Sequence, residues 1–192
     1  GVLNMTGVEV TDNSNAANAA ALYANTGATV NMTDCVFKNN TAKGASVINT
    51  GGDAQVTLTD CIITGNTTSS YGTLNVANGK TVFKLEGATQ VYGNKGGNVH
   101  LQKGDAYVYT LDGLTQGAKV YISLHKDRIA ENQMHFTTVV AEGKNPQPYC
   151  FSDDDTYKVA MDAKGRLALV ENTGLTAPEI AGKALKIASD IC

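Results

Sequence analysis

Asn31-Met32-Thr33-Asp34-Cys35-Val36-Phe37-Lys38-Asn39-Asn40 is answered, further along the chain, by Thr57-Leu58-Thr59-Asp60-Cys61-Ile62-Ile63-Thr64-Gly65-Asn66. Both stretches close on an apolar-x-x-Asn element. The same element stands at Val10-Thr11-Asp12-Asn13 and Val91-Tyr92-Gly93-Asn94, so Asn13, Asn40, Asn66 and Asn94 recur at a nearly constant interval. Self-similarity at a fixed period is the mark of a repeat architecture. Within a unit, Val30/Met32 and Val56/Leu58 alternate with polar residues, the period of a strand with one buried face, and Cys35/Phe37 and Cys61/Ile63 begin a second such strand. A third lies in Ala21-Leu22-Tyr23, Ser46-Val47-Ile48 and Thr73-Leu74-Asn75-Val76, each followed by a turn rich in Asn and Gly.

Three short strands per unit, never paired as hairpins within it, predict an all-β chain in which each unit is one coil of a parallel β-helix, repeated about four times. Residues one period apart then lie about 4.8 Å from each other, the inter-strand spacing. Val10, Phe37, Ile63 and Val91 form an apolar column on this reading, and Asn13, Asn40, Asn66 and Asn94 an amide ladder at a turn. Asparagine suits a ladder because its amide donates to the next oxygen while also serving backbone groups freed by the turn. Its role here is structural. No window places apolar residues at i, i+3 and i+4 over a helical length, which disfavours leucine-rich and helical repeats.

The composition agrees. The chain has 192 residues with 20 Gly, 3 Pro and no Trp, pointing to short strands and frequent turns. A net charge of −3 excludes a nucleic-acid-binding arm. No apolar run approaches the roughly 20 residues that cross a bilayer, so membrane insertion of this fragment is not expected. The chain opens at Gly1 without a leader pattern and reads as a mature or excised piece.

Phe37-Lys38-Asn39-Asn40 matches the F-x-x-N element, and Gly44-Ala45-Ser46-Val47 loosely matches the G-G-A-I/L/V element, of bacterial surface proteins. Over residues 1–101 the chain resembles their right-handed parallel β-helices, of the pectate-lyase-like superfamily, including adhesin-like and polymorphic outer-membrane-type repeats. The resemblance implies right-handed coils and a secreted or surface-attached module of a larger protein from a host-associated bacterium.

Beyond residue 101 the period fails, and strands are expected at 106–111, 119–124, 135–140, 157–161 and 166–170. Residues 98–172 carry 8 Lys/Arg and 10 Asp/Glu against 5 and 6 in the longer stretch 1–97. An open β-helix end exposes unpaired backbone and must be covered. Residues 102–172 are therefore read as a β-rich cap continuing the stack, and 173–192 as a linker or short helical tail. Thr176 and Glu179 form a capping box, predicting a helix from 177 to 189.

Cys35 and Cys61 are one period apart and inward, read as stacked buried thiols rather than a disulfide. Cys150 and Cys192 could pair in an oxidising compartment. His100, His125 and His135 are expected as scattered singletons. Asp153-Asp154-Asp155 is a solvated acidic loop or a weak hard-cation site. Asp34 and Asp60 recur in neighbouring coils, but each precedes an inward Cys at a strand boundary, where Asp satisfies turn backbone. N-x-S/T sequons at Asn4, Asn31, Asn39 and Asn66 arise readily in a Thr- and Asn-rich repeat.

No nucleophile elbow, metal motif or cofactor motif is present, and residues 1–97 contain no Arg to partner a carboxylate pair. The expected function is a non-catalytic binding or adhesion module, extracellular or at the cell surface, without catalytic residues, metal or cofactor. Its partner would be a host glycan, mucin or protein such as an immunoglobulin, met through exposed aromatics for which Tyr23, Tyr71, Tyr92 and Tyr149 are candidates. The alternative is a polysaccharide lyase or glycoside hydrolase.

Overall fold

The structure, a computed structural model, describes residues 1–16, 19–109 and 113–174. Its body is a parallel β-solenoid of about five turns. One sheet runs β1 (Val2–Thr6), β5 (Thr29–Thr33), β9 (Gln55–Thr59), β13 (Val82–Glu86) and β16 (Val108–Tyr109). A second layer stacks β2 (Glu9–Thr11), β6 (Val36–Lys38), β10 (Ile62–Thr64) and β14 (Gln90–Tyr92). A third stacks β4 (Ala19–Ala24), β8 (Ser46–Thr50), β12 (Leu74–Val76) and β15 (Val99–Leu101). Two-residue strands β3 (Ser14–Asn15), β7 (Thr41–Ala42) and β11 (Thr67–Thr68) pair at a corner.

The register turns the sequence repeat into columns. Leu3, Val30, Val56, Phe83 and Val108 lie over one another, as do Val10, Phe37, Ile63, Val91 and Val120. From the second coil onward these side chains are at most 3% exposed. Each buried apolar side chain of this size contributes about 1.5–3 kcal/mol. At the first coil the columns stand open, with Leu3 41% exposed.

Two corners per coil need left-handed backbone. The first is Gly7, Asp34, Asp60 and Gly87, with φ between 54° and 62°; the second is Asp12, Asn39, Gly65 and Gly93, with φ between 56° and 67°. Gly, Asn and Asp are the residues that tolerate this region. Gly87 has a second reason to be glycine, since a Cβ there would fall 2.3 Å from Oδ1 of Asp60.

The second corner aims the next residue inward, and that residue is the ladder asparagine. The backbone N–H and Nδ2 of Asn13 both donate to Oδ1 of Asn40, at 3.1 and 3.0 Å. Asn40 donates in the same way to Asn66 at 2.9 and 3.0 Å, and Asn66 to Asn94 at 2.9 Å for both bonds. Every Nδ2 also donates to the carbonyl two residues earlier. Asn40 and Asn66 are fully buried, where unpaired amides would be costly.

The stack does not end at residue 101. β17 (Lys119–Leu124) pairs in parallel with β14 through Val120 and with β15 through Ile122, so one straight strand replaces two strands and the corner between them. β18 (Cys150–Ser152) then pairs in parallel with β17. The solenoid has about five turns, and parallel pairing runs past residue 101 with longer spacings, Val91 to Val120 and Val120 to Cys150. The long strand removes the corner, so no asparagine of β17 can extend the ladder. Asn94 instead donates its Nδ2 to Oδ1 of Asn98 at 2.7 Å, and Asn98 donates N–H and Nδ2 to the Asp153 carboxylate at 2.9 and 2.5 Å. Asp153 is thus a ladder terminator, which corrects its reading as part of a solvated loop or cation site.

The far end is closed by the antiparallel hairpin β19 (Tyr157–Met161) and β20 (Leu167–Glu171), with Leu167, Ala168 and Leu169 buried. The expected strand over 135–140 reduces to single bridges at His135 and Thr137. Here Phe136 is buried, and its N–H donates to the Leu167 carbonyl at 2.8 Å. A short helix α1 (Lys126–Ala130), absent from the sequence reading, places Arg128 in the interior at 1% exposure. Its guanidinium donates to the carbonyls of Gln133, Ala106 and His135 at 3.2, 3.0 and 2.5 Å. The helix expected over 177–189 lies outside the described residues.

Replacing Asn66 by Ala strands the Asn40 backbone N–H in the interior and takes a donor from the Phe37 and Thr64 carbonyls, while the Asn40 amide keeps its bonds to the Val10 and Lys38 carbonyls; each unsatisfied group costs about 1–3 kcal/mol. Urea unfolding of Asn66→Ala is expected to show a loss of about 3 kcal/mol, against about 1 kcal/mol or less for Asn13→Ala at the exposed end. Equal losses at the two sites would contradict a directional buried ladder.

Candidate functional site

The outward faces of the same strands carry a second set of columns. Thr11, Lys38, Thr64 and Tyr92 lie in register, and Tyr92 follows Val91 as Tyr121 follows Val120 and Phe151 follows Cys150. The polar column therefore becomes aromatic in the last coils. The rings of Tyr121 and Phe151 stack at 5.1 Å with 26° between planes. The Lys119 ammonium lies 5.1 Å from the Tyr92 ring centroid and 5.6 Å from that of Tyr121, a cation–π bridge between them.

This stack runs into a cleft of about 760 Å³, bounded by β18 on one side and the hairpin on the other. That volume is in the ~300–1,000 Å³ range of ligand sites. Tyr121, Phe151 and Tyr157 supply its aromatic surface, and Asn145, Gln147, Asp155, Lys158 and Asn172 its polar rim. The rim is partly fixed by its own bonds. Nε2 of Gln147 donates to the Val159 carbonyl at 3.3 Å, Oδ1 of Asn145 accepts the Gln147 N–H at 3.1 Å, and Nδ2 of Asn172 donates to the Asp155 carbonyl at 3.1 Å. Phe151 is 38% exposed although one ring face rests on Tyr121.

Of the four tyrosines singled out in the sequence, Tyr92 belongs to the aromatic column. Tyr23 is exposed on the first coils, far along the stack. Tyr71 is half-buried, tilted against His100 at 5.8 Å, and Tyr149 packs partly against the core. The structure does not bring these four together. Tyr121 and Phe151 escape the sequence reading because they lie beyond the point where the regular period breaks. Their signal is the apolar-aromatic pair, which recurs as Val91-Tyr92, Val120-Tyr121 and Cys150-Phe151 at a longer interval than the asparagines keep.

The other candidate groups are structural. Oδ1 of Asp60 accepts the Ala88 N–H at 2.7 Å, serving the corner. Cys35 and Cys61 are buried free thiols, and burial pushes Cys61 up to about 11. Cys150 is a buried free thiol pushed up to about 12 by burial; Cys192 lies outside the described residues. His135 stacks on Tyr107 at 5.4 Å, and its Nε2 is 3.0 Å from the tyrosine hydroxyl. His100 and His125 are not scattered: their rings meet edge to face at 5.8 Å. Ser123 Oγ lies 3.5 Å from His100 Nδ1, while His100 Nε2 is buried and has no hydrogen-bond partner among the described residues. Among the described residues no three His, Cys, Asp or Glu side chains are grouped to hold a metal ion, and no helix is long and apolar enough to cross a membrane.

No protein-family model, curated protein or solved structure matches the chain.

Burial, followed by the charges of His125 and Arg128, lowers the His100 pKa from 6.5 to about 4. The unfolded chain binds this proton more tightly, so the stability present above pH 6.5 falls as pH drops toward 4. The loss is about 3 kcal/mol, since each tenfold difference in proton affinity between the folded and unfolded chain is worth about 1.4 kcal/mol. In denaturant titrations across this window, His100→Asn is expected to show a shallower decline than the parent. Parallel curves would remove His100 as the cause.

Proposed function

We propose that this chain is a non-catalytic binding module, of an extracellular or cell-surface protein, whose recognition surface is the cleft between β18 and the terminal hairpin. The observation that carries the reading is Phe151. Its ring is partly exposed at a cleft wall, and it is held in place by Tyr121 and by a β-stack with fully buried columns. A rigid aromatic presented this way loses little conformational entropy on binding, which favours affinity. Aromatic bodies with a polar rim suit ligands that are apolar on one face and wet at the edge.

The chemistry of the lining supports binding over turnover. Among the described residues Asp155 is its one carboxylate, whereas glycoside hydrolysis commonly uses two carboxyl groups about 5–9.5 Å apart. The likeness of the F-x-x-N repeat to surface β-helix proteins supports an outside location and a host glycan or host protein as partner.

A glycan and protein array followed by chemical-shift mapping tests this reading. The ligand is expected to shift Tyr121, Phe151 and Tyr157 and to leave Tyr23 unmoved. Prolonged incubation with polysaccharides should release neither reducing nor unsaturated ends. Mapping to another face, or product release, would contradict the proposal.

A further inference from the structure

We infer that the cleft takes an uncharged polysaccharide chain, an inference resting on the cleft being the recognition surface. One face of a pyranose ring is a patch of C–H groups, and its edge is a ring of hydroxyls, each both donor and acceptor. The cleft answers both. The uncovered part of Phe151, backed by Tyr121, offers an aromatic wall for the C–H face. After their internal bonds, the rim amides still offer Nδ2 of Asn145, Oε1 of Gln147 and Oδ1 of Asn172, a mixture of donors and acceptors suited to hydroxyls.

Charge separates the ligand classes. Among the described residues, Asp155 and Lys158 are the charged side chains of the lining and cancel, and neither side chain has a hydrogen-bond partner there. A polyuronate, a sulfated glycan or a nucleic acid needs several cations along its track. The nearby Lys119 ammonium is already engaged over two tyrosine rings.

An extended peptide would need the free edge of β18, and that edge is only Cys150–Ser152 long. The Asp153 N–H donates to the Ile122 carbonyl of β17, so strand alternation turns the Phe151 N–H toward β17 as well. The Cys150 N–H donates to the Gln147 carbonyl. Ser152 alone is left to present an N–H, too little for strand addition, which relies on a row of main-chain bonds.

The test titrates the isotope-labelled chain with length-matched oligomers: uncharged β-linked glucan, mannan, xylan and galactan, polyuronate and sulfated glycan, and a pool of extended peptides. At least one uncharged oligomer is expected to shift the cleft resonances, with an affinity that raised salt does not change. Phe151→Ala is expected to weaken it about tenfold, Phe151→Leu to recover little of that loss, and Tyr23→Ala to leave it unchanged. Thermal melts confirm that the variants fold. Shifts in the cleft produced only by charged oligomers or only by peptides would overturn the uncharged-glycan inference while leaving the cleft as the recognition surface. Silence of the cleft toward every probe would overturn both.

Discussion

The structure depends on an amide ladder with a direction. Each asparagine gives its backbone N–H and its side-chain N–H to the oxygen of the next coil, so every step consumes one acceptor and presents a new one. Such a chain of bonds fixes register more sharply than apolar columns do, because a slip would leave buried amides without partners rather than exchange one methyl contact for another. It also demands a terminus of particular chemistry. Donors arriving at the last step need an acceptor that does not itself have to donate, and the Asp153 carboxylate meets that requirement.

The ladder's end and the cleft share a cause. When β17 runs unbroken from Lys119 to Leu124, the asparagine corner disappears, and the acceptor comes instead from the next coil, as Asp153 directly after β18. The turn carrying Asp153 joins β18 to β19, and those strands form the two sides of the cleft. The site therefore lies where the repeat is interrupted. Rigid coils behind it hold Tyr121 and Phe151, while the irregular segment supplies the polar rim from Asn145 and Gln147 to Asn172.

The coils were legible in the sequence because one residue type, asparagine, does one job at one period, and because the inward positions alternate cleanly. Val10, Phe37, Ile63 and Val91 could be aligned by eye. Val120 and Cys150 could not, since the residues three further on are Ser123 and Asp153 rather than asparagine, and α1 and the 3-10 turn Gln147–Tyr149 both intervene between them. Asp153 was hidden because it stands in for an asparagine and sits among three aspartates that look like a solvated run. Arg128 was hidden for a different reason: nothing local marks an arginine whose partners are backbone carbonyls of three separate residues. Tyr121 and Phe151 fell between these cases, on strands whose inward neighbours did continue the pattern.

Amide hydrogen exchange gives the most direct test of the directional ladder. The backbone N–H groups of Asn40 and Asn66 donate to side-chain oxygens rather than to strand carbonyls, so their protection reports the ladder itself. They are predicted to exchange among the slowest in the chain, only through global unfolding, with a free energy matching that of Val56 or Ile63. Exchange at the rate of exposed turn amides such as Thr26 or Lys80 would contradict the account.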